Sequence, residues 1–247
     1  MKKFLLGVAA ALAIAAPGVA SAQSGYVDLG YSTTDVGSSD VDAWTVGGAY
    51  AWGGNGSLGV QLDGLIGSHE YDSGGGDVDT YNFGGHLFTR NDSYLLGGFA
   101  SIGNTDFSFA DYDYYTVGLE GAYYLSRTTL NGALSYSDSD DLNADSTALD
   151  LGATHFVTDN FSFGGTVGFG ELADLDFVSY GVGAEYQFAG APISLFGGYN
   201  KTDYDSFDTD ALSVGVRWNF GGSLFERDRS GASLTRNTGF GRLGAVL

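Results

Sequence analysis

Through most of the chain, apolar and polar side chains alternate with a period of two, which is typical of β-strands. Within 176–188, for example, Val178 and Tyr180 share one face, whereas Ser179 and Gly181 share the other. No convincing apolar period of about 3.6 follows residue 23, so helices are not predicted there. The pattern predicts twelve strands, at 24–33, 43–52, 58–70, 78–90, 94–104, 112–125, 128–138, 147–157, 161–171, 176–188, 193–202 and 210–220.

The connections between these segments are of two alternating kinds. Tight turns of two to five residues lie at 53–57, 91–93, 126–127, 158–160 and 189–192. Longer acidic connections lie between them, including 35–42, 71–77, 139–146 and 203–209. An up-and-down meander places its short turns on one rim and its long loops on the other, which in outer-membrane barrels are the periplasmic and extracellular rims. The sequence therefore predicts an all-β, up-and-down antiparallel barrel of about twelve strands, with ten or fourteen as alternatives.

The residue types on the second face of the strands distinguish a soluble sheet from a membrane barrel. A soluble strand exposes charged and large polar side chains, but here this face is mainly Gly, Ala, Ser and Thr. Residues 23–220 contain only four basic side chains, and all but Arg217 lie at or near strand ends: Arg90, Arg127, Lys201 and Arg217. Aromatic residues also gather near strand ends, as they do at membrane interfaces. Because each segment is long enough to cross a bilayer when tilted, the sequence predicts a closed transmembrane barrel.

The first 22 residues have the features of a secretory signal peptide. Two lysines precede an apolar run at 4–16, and the small residues at 20–22 suit a signal peptidase. A membrane anchor is the alternative, but this run is shorter than the about 20 residues that a bilayer core requires. The predicted organisation is a signal peptide at 1–22, an outer-membrane β-barrel at 23–220 and a periplasmic C-terminal tail at 221–247.

Composition excludes several classes of protein. The 247 residues include 41 glycines, two prolines and no cysteine, which rules out a collagen-like repeat, a disulfide framework and a cysteine-based zinc site. An aromatic content of 15% argues against disorder. The net charge of -20 repels phosphate backbones, so no nucleic-acid partner is expected.

Over residues 23–220 the chain resembles Gram-negative outer-membrane β-barrel proteins, in particular small porin-like members, and its last predicted strand carries the most specific part of this resemblance. The segment 212–220, Leu-Ser-Val-Gly-Val-Arg-Trp-Asn-Phe, looks like the terminal-strand signal that the barrel assembly machinery reads, with Trp218 and Phe220 as its aromatic residues. The resemblance implies a location in the cell outer membrane, with outer-membrane lipid and the barrel assembly machinery as partners. Two features depart from the family pattern. Many members end at this Phe, whereas 27 residues follow it here. The third long connection, around 105–111, is also too short to constrict a pore as in trimeric general porins.

The face opposite the apolar one predicts what the interior of the barrel contains. Seven candidate pore-lining residues follow from strand phase: Asp28, Asp63, His86, Glu120, Asp150, Glu185 and Arg217. Many neighbours on this face are glycine, so twelve strands are expected to enclose free space. Five carboxylates against one arginine predict a preference for cations. The predicted function is passive diffusion of small hydrophilic solutes or ions. The alternative is a non-conducting barrel, occluded by loops, aromatic residues or its tail, with a structural or surface-interaction role.

Arg217 also has a structural interpretation. The first and last strands should pair to close the barrel, so a salt bridge from Arg217 to Asp28 or to Glu185 would offset its buried charge. A dedicated anion-binding role is the alternative.

The sequence contains no constellation that points to an enzyme. The histidines His69, His86 and His155 lack a matching serine motif or spaced metal ligands. His155 falls on the apolar phase and is expected to face lipid near a strand end. The acidic connections lack the glycine and terminal glutamate of a calcium-binding EF-hand loop. No catalytic residues, metal site or cofactor are therefore predicted.

The tail differs from the barrel in charge. It carries four arginines against two acidic residues, whereas 23–220 carry 28 acidic residues against four basic ones. One hypothesis is that the tail docks into the acidic lumen or contacts a periplasmic partner. The alternative is a mobile extension without a function of its own.

Overall fold

The computed structural model describes residues 23–37, 39–53, 56, 58–72, 77–107 and 110–235. The predicted signal peptide and the final part of the tail, 236–247, lie outside these residues. Within them the chain forms twelve strands and one short helix. They are β1 (Gln23–Val36), β2 (Ser39–Gly53), β3 (Leu58–Tyr71), β4 (Asp77–Arg90), β5 (Tyr94–Phe107), β6 (Ala110–Tyr124), β7 (Thr128–Ser139), β8 (Ala144–Thr158), β9 (Phe161–Leu172), β10 (Leu175–Gln187), β11 (Ile193–Tyr204), β12 (Asp208–Phe220) and α1 (Leu224–Ser230).

The strands close into a single barrel. Each strand pairs antiparallel with its neighbours in the sequence, and β1 pairs with β12 to complete the ring. At this seam Asp28 lies directly opposite Arg217. Closure leaves no open sheet edge, so backbone groups along every strand find partners within the barrel. The predicted up-and-down antiparallel barrel of twelve strands is confirmed.

The two faces of the barrel differ sharply in polarity. Large apolar side chains point outward and are exposed, among them Leu119 at 68% and Ile102 at 63%. Polar side chains point inward and are buried, among them Gln61, Thr116 and Ser194, each at 0%. This apolar-out, polar-in alternation is the inverse of a soluble protein and is typical of barrels that face lipid.

One rim differs from the sequence prediction. The tight turns between β2 and β3, β4 and β5, β6 and β7, β8 and β9, and β10 and β11 are confirmed. On the other rim the strands continue, and the connections occupy only 37–38, 72–76, 108–109, 140–143, 173–174 and 205–207. The connections predicted at 35–42, 139–146 and 203–209 are therefore too long, whereas the one predicted at 71–77 is shortened only by its two end residues. Asp and Ser disfavour strands, but at this rim both neighbouring strands supply backbone pairing, and Asp35 pairs with Asp40 and Asp210. Sheet context overrides the residue preference.

Inward glycines provide space for large side chains on the neighbouring strand. The ring of Phe99 covers Gly118 directly across from it, and the carbonyl oxygen of Leu134 lies 2.5 Å from where a Cβ on Gly118 would stand. Three other cross-strand pairs repeat this arrangement: Tyr114 over Gly103, Phe177 over Gly170 and Phe196 over Gly215. Glycine at these positions thus lets inward aromatic rings lie flat against the barrel wall.

We expect Gly118→Ala to destabilise the folded barrel by about 1–3 kcal/mol, because the new methyl group overpacks against Phe99 and the backbone of β7. The matched control is Gly165→Ala, where the new Cβ would meet only the carbonyl oxygen of Gly181, at an ordinary 3.5 Å. Equilibrium unfolding in urea with lipid vesicles measures both. Equal stability of the two variants would contradict this account of the glycines.

A short helix follows the last strand. The amide of Glu226 donates to the Ser223 hydroxyl (3.2 Å), and the Ser223 amide donates to the Glu226 carboxylate (2.8 Å). This reciprocal capping box fixes the start of α1. Among the described residues, no helix is long and apolar enough to span a membrane.

Candidate functional site

Three of the predicted lining residues meet in one buried cluster inside the barrel. His86 on β4 places Nε2 2.7 Å from Asp63 Oδ2 on β3 and Nδ1 2.7 Å from Glu120 Oε1 on β6. All three side chains are almost fully buried. An imidazole that donates from both nitrogens is protonated. This geometry makes His86 the cation between two carboxylates. Glycine at position 84 leaves room for the Asp63 carboxylate, because a Cβ at that position would stand only 2.7 Å from Asp63 Oδ1.

Arg217 forms a second charged cluster at the β1–β12 seam. Arg217 donates from Nη2 to Asp28 (2.9 Å) and from Nη1 to Glu185 (2.6 Å). The rings of Tyr26 and Phe196 lie 4.2 and 4.7 Å from its guanidinium carbon. Both of the pairings predicted for Arg217 are present, and no anion-binding role is needed to account for this residue.

Asp150 lies apart from these two clusters, on β8. It is half-buried and lines a cavity of about 410 Å³ together with Glu120. The seven predicted side chains therefore all lie on strands of the barrel wall, but six of them form two ion-paired clusters. The role of these seven residues in lining a conducting pore stays a prediction.

The wall formed by β8 to β12 is lined by small side chains. A cavity of about 650 Å³ lies along it, bounded mainly by glycine, alanine, serine and threonine, including Gly164, Thr166, Gly181, Gly198 and Ser213. Glu185 and Arg217 of the second charged cluster also line this cavity, as do residues 232–235. The described part of the interior therefore contains open space beside both charged clusters.

Residues 223–235, here called the mouth segment, turn back into the barrel at the short-turn rim. Arg90 donates from Nη2 to Gly231 O and to Ser233 Oγ, both at 2.9 Å. Gln61 donates to Leu234 O (3.0 Å) and accepts from its amide (3.2 Å). The docking hypothesis for the tail is supported for these residues, and a mobile extension does not describe them.

The helix α1 adds charge to this rim. Arg227 Nη2 lies 2.7 Å from Glu185 Oε2, so Glu185 contacts two guanidinium groups. Asp228 accepts from Thr129 Oγ1 at 2.6 Å. Burial raises the pKa of the Asp228 carboxyl, while Thr129 and Arg229 favour its charged form.

The opposite rim is narrowed by an apolar cluster. Tyr114 on β6 packs with Leu172, Phe177 and Tyr204 on β9 to β11. The Tyr204 ring stacks on Phe207 with centroids 4.6 Å apart. Both mouths of the barrel therefore carry side chains that reach into the lumen.

Sequence reasoning missed Arg90 as a functional residue because it lies at a strand end. Its phase does match that of His86, four residues earlier, and it is 1% exposed. Because residues an even number of positions apart on a strand share a face, this spacing indicated that Arg90 points inward. Nothing in the local sequence indicated that its partners would come from 231–233.

The other two histidines lie outside the His86 cluster, and each contacts a threonine hydroxyl. His155 is exposed on the outer face, as predicted, and its Nδ1 lies 3.0 Å from Thr128 Oγ1. His69 is buried inside, with Nε2 3.2 Å from Thr80 Oγ1. Within the described part of the chain, no group of three or more His, Cys, Asp and Glu side chains is placed to hold a metal ion.

Comparison with known proteins places this geometry among outer-membrane barrels. No protein-family model matches the sequence, and no curated protein is significantly similar to it. The KdgM porin in complex with disordered oligogalacturonate matches with a TM-score of 0.59 and 10% identity, over 79% of this chain and 99% of KdgM. The translocator domain of the autotransporter NalP from Neisseria meningitidis matches with a TM-score of 0.58 and 12% identity, over 87% and 95% of the two chains. The NanC porin matches with a TM-score of 0.57 and 9% identity, over 78% and 98%. The chain therefore has the β-barrel fold that outer-membrane porins and autotransporter translocator domains share.

Proposed function

We propose that this protein is an outer-membrane channel for passive diffusion of small hydrophilic solutes or ions. The observation that carries the proposal is the cavity of about 650 Å³ that lies inside the barrel along β8 to β12. Its lining offers backbone, hydroxyl and amide groups to a passing solute, beside the charged groups of Glu185 and Arg217. The porins KdgM and NanC have the same fold, which supports a channel over an enzyme.

The outer face supports a location in the outer membrane. Exposed apolar side chains cover it, and they would contact lipid in place of water. Trp218 is 52% exposed on this face, near the end of β12. We propose that Trp218 and Phe220 form the signal for the barrel assembly machinery.

We propose a weak preference for cations. The barrel wall places five carboxylates inside, but Arg217 compensates Asp28 and Glu185, and His86 lies between the other buried pair. Arg90 adds a further buried guanidinium. The small remaining excess of negative charge favours cations, because lining charge selects the opposite ion.

A non-conducting structural barrel is the second candidate function. It is favoured by the mouth segment at one rim and by the Tyr114 cluster at the other. In this case the interior charge clusters would serve stability only.

Liposome swelling separates the two functions. The refolded protein 23–247 is reconstituted into vesicles, which are diluted into isotonic solutions of neutral sugars of increasing size. Swelling rates above those of protein-free vesicles, falling as the sugar becomes larger, are expected for a channel. Rates equal to those of protein-free vesicles, from a barrel shown to be folded by its heat-modifiable migration, would favour the structural role.

A further inference from the structure

The mouth segment crosses the barrel opening from one wall to the other. Near its start, the amide of Phe225 donates to Asp159 O in the β8–β9 turn (3.0 Å), and its ring packs edge-on against Phe156. At its far end, Leu234 is buried against side chains of β4, β5 and β6, and its backbone is bound by Gln61 on β3. In a ring of twelve strands, β3 and β9 are six strands apart. The segment therefore spans the full width of the mouth.

The barrel interior is complementary to this segment. Arg90 and Gln61 are 1% and 0% exposed, and both direct polar groups at its backbone. The amide of Ala232 donates to Ser24 Oγ on β1 (3.1 Å), and Ala232 is buried against Tyr26. Buried polar groups without partners are costly, and the segment supplies acceptors for Arg90 Nη2 and both an acceptor and a donor for the Gln61 amide, which favours the docked position.

The segment also changes the local charge beside Glu185. Through Arg227 it supplies the second guanidinium to Glu185, whose other cation, Arg217, is shared with Asp28. Arg229 places its guanidinium at the same rim, where Nη2 donates to Leu125 O (2.8 Å). The segment also carries Glu226 and Asp228, so its own net charge is zero, and Arg229 is paired with Asp228 at 3.1 Å. Its effect on the carboxylates of the wall is therefore the local contact of Arg227 with Glu185.

We propose that the mouth segment is the constriction of the channel and that Arg227 sets its selectivity by reducing the preference for cations. The inference rests on the proposed channel function. The segment narrows the path at the short-turn rim, so it limits conductance. The Arg227 guanidinium raises the local potential beside Glu185, so cations enter less readily than the barrel wall alone would allow.

Planar-bilayer recording under a potassium chloride gradient tests this with four proteins. They are the chain 23–247, a truncation ending at residue 222, Arg227→Gln and the control Lys201→Gln. The truncation keeps all of β12 and is expected to raise single-channel conductance several-fold and to shift the reversal potential toward that of potassium. Arg227→Gln should shift the reversal potential in the same direction with little change in conductance. Lys201 faces outward among aspartates, so its variant removes the same charge outside the lumen and should match the parent protein.

The results separate a failure of the proposed constriction from a failure of the proposed channel. Conducting proteins with the same conductance and reversal potential, with and without the segment, would overturn the inference and leave the channel standing. Folded barrels that are silent in all forms would overturn both. If the truncation does not fold, Leu234→Asp in the full chain tests the constriction instead. A carboxylate among Phe88, Leu95 and Tyr124 should release the far end of the segment, and conductance should then rise. Unchanged conductance in this variant would count against the constriction.

Discussion

Replacing His86 with leucine is expected to destabilise the folded barrel by about 3–5 kcal/mol, because two buried carboxylates then lose the cation between them. Asp63 and Glu120 each lie 2.7 Å from a nitrogen of this imidazole, with side-chain exposures of 1% and 6%. Leucine fills a similar volume but supplies neither charge nor hydrogen bonds. Urea unfolding of the refolded protein in lipid vesicles, followed by tryptophan fluorescence, measures the loss.

Two further variants show whether the loss comes from charge. His155→Leu changes the same residue type at an exposed outward position and should leave stability nearly unchanged. Adding Asp63→Asn and Glu120→Gln to His86→Leu removes the uncompensated charges and should recover a large part of the loss. Were the triple variant no more stable than His86→Leu alone, the cluster would owe its effect to packing and the electrostatic explanation would be wrong.

Arg217→Leu should have a comparable effect, about 3–5 kcal/mol, since it leaves Asp28 and Glu185 buried with less compensation. The side chain is 14% exposed and donates to Asp28 from Nε (3.2 Å) and Nη2 (2.9 Å). It bridges the strands that close the barrel, because Asp28 on β1 lies opposite Arg217 on β12. Heat-modifiable electrophoresis measures the closed barrel, and urea unfolding gives the free energy.

Arg127→Gln is the matched control for this prediction. Arg127 pairs with Asp159 at 2.9 Å, but the two side chains are 38% and 64% exposed, so its ion pair should contribute on the order of 1 kcal/mol or less. Arg217→Lys should rescue only part of the loss, because an ammonium group cannot reproduce the planar fork that reaches both carboxylates. Full rescue by lysine would mean that charge alone holds the seam.

Strand phase was sufficient to predict the architecture. Alternation over segments such as 176–188 identified each strand, because a barrel that is apolar outside and polar inside repeats with a period of two. The pairing of Arg217 with Asp28 also followed from sequence, since closure of an even-stranded meander brings the first and last strands together. These features depend on local order along the chain.

What depends on contacts between distant strands could not be predicted. The alternation along each strand placed Asp63, His86 and Glu120 on the inner face. Their contact depends on the register between β3, β4 and β6, which brings His86 between the two carboxylates. Counting inward carboxylates therefore overstated the acidity of the lumen. The mouth segment is a similar case, because Arg90 binds residues about 140 positions later in the chain. The loops were predicted too long, since low strand propensity does not reveal pairing on both sides.

Single-channel recording of the refolded chain 23–247 in a planar bilayer shows whether the barrel conducts. We expect discrete conductance steps, with a reversal potential under a potassium chloride gradient that is displaced modestly toward that of potassium. A folded, inserted barrel that gives no steps, with the mouth segment present and with it removed, would contradict the channel and leave a structural role for the protein.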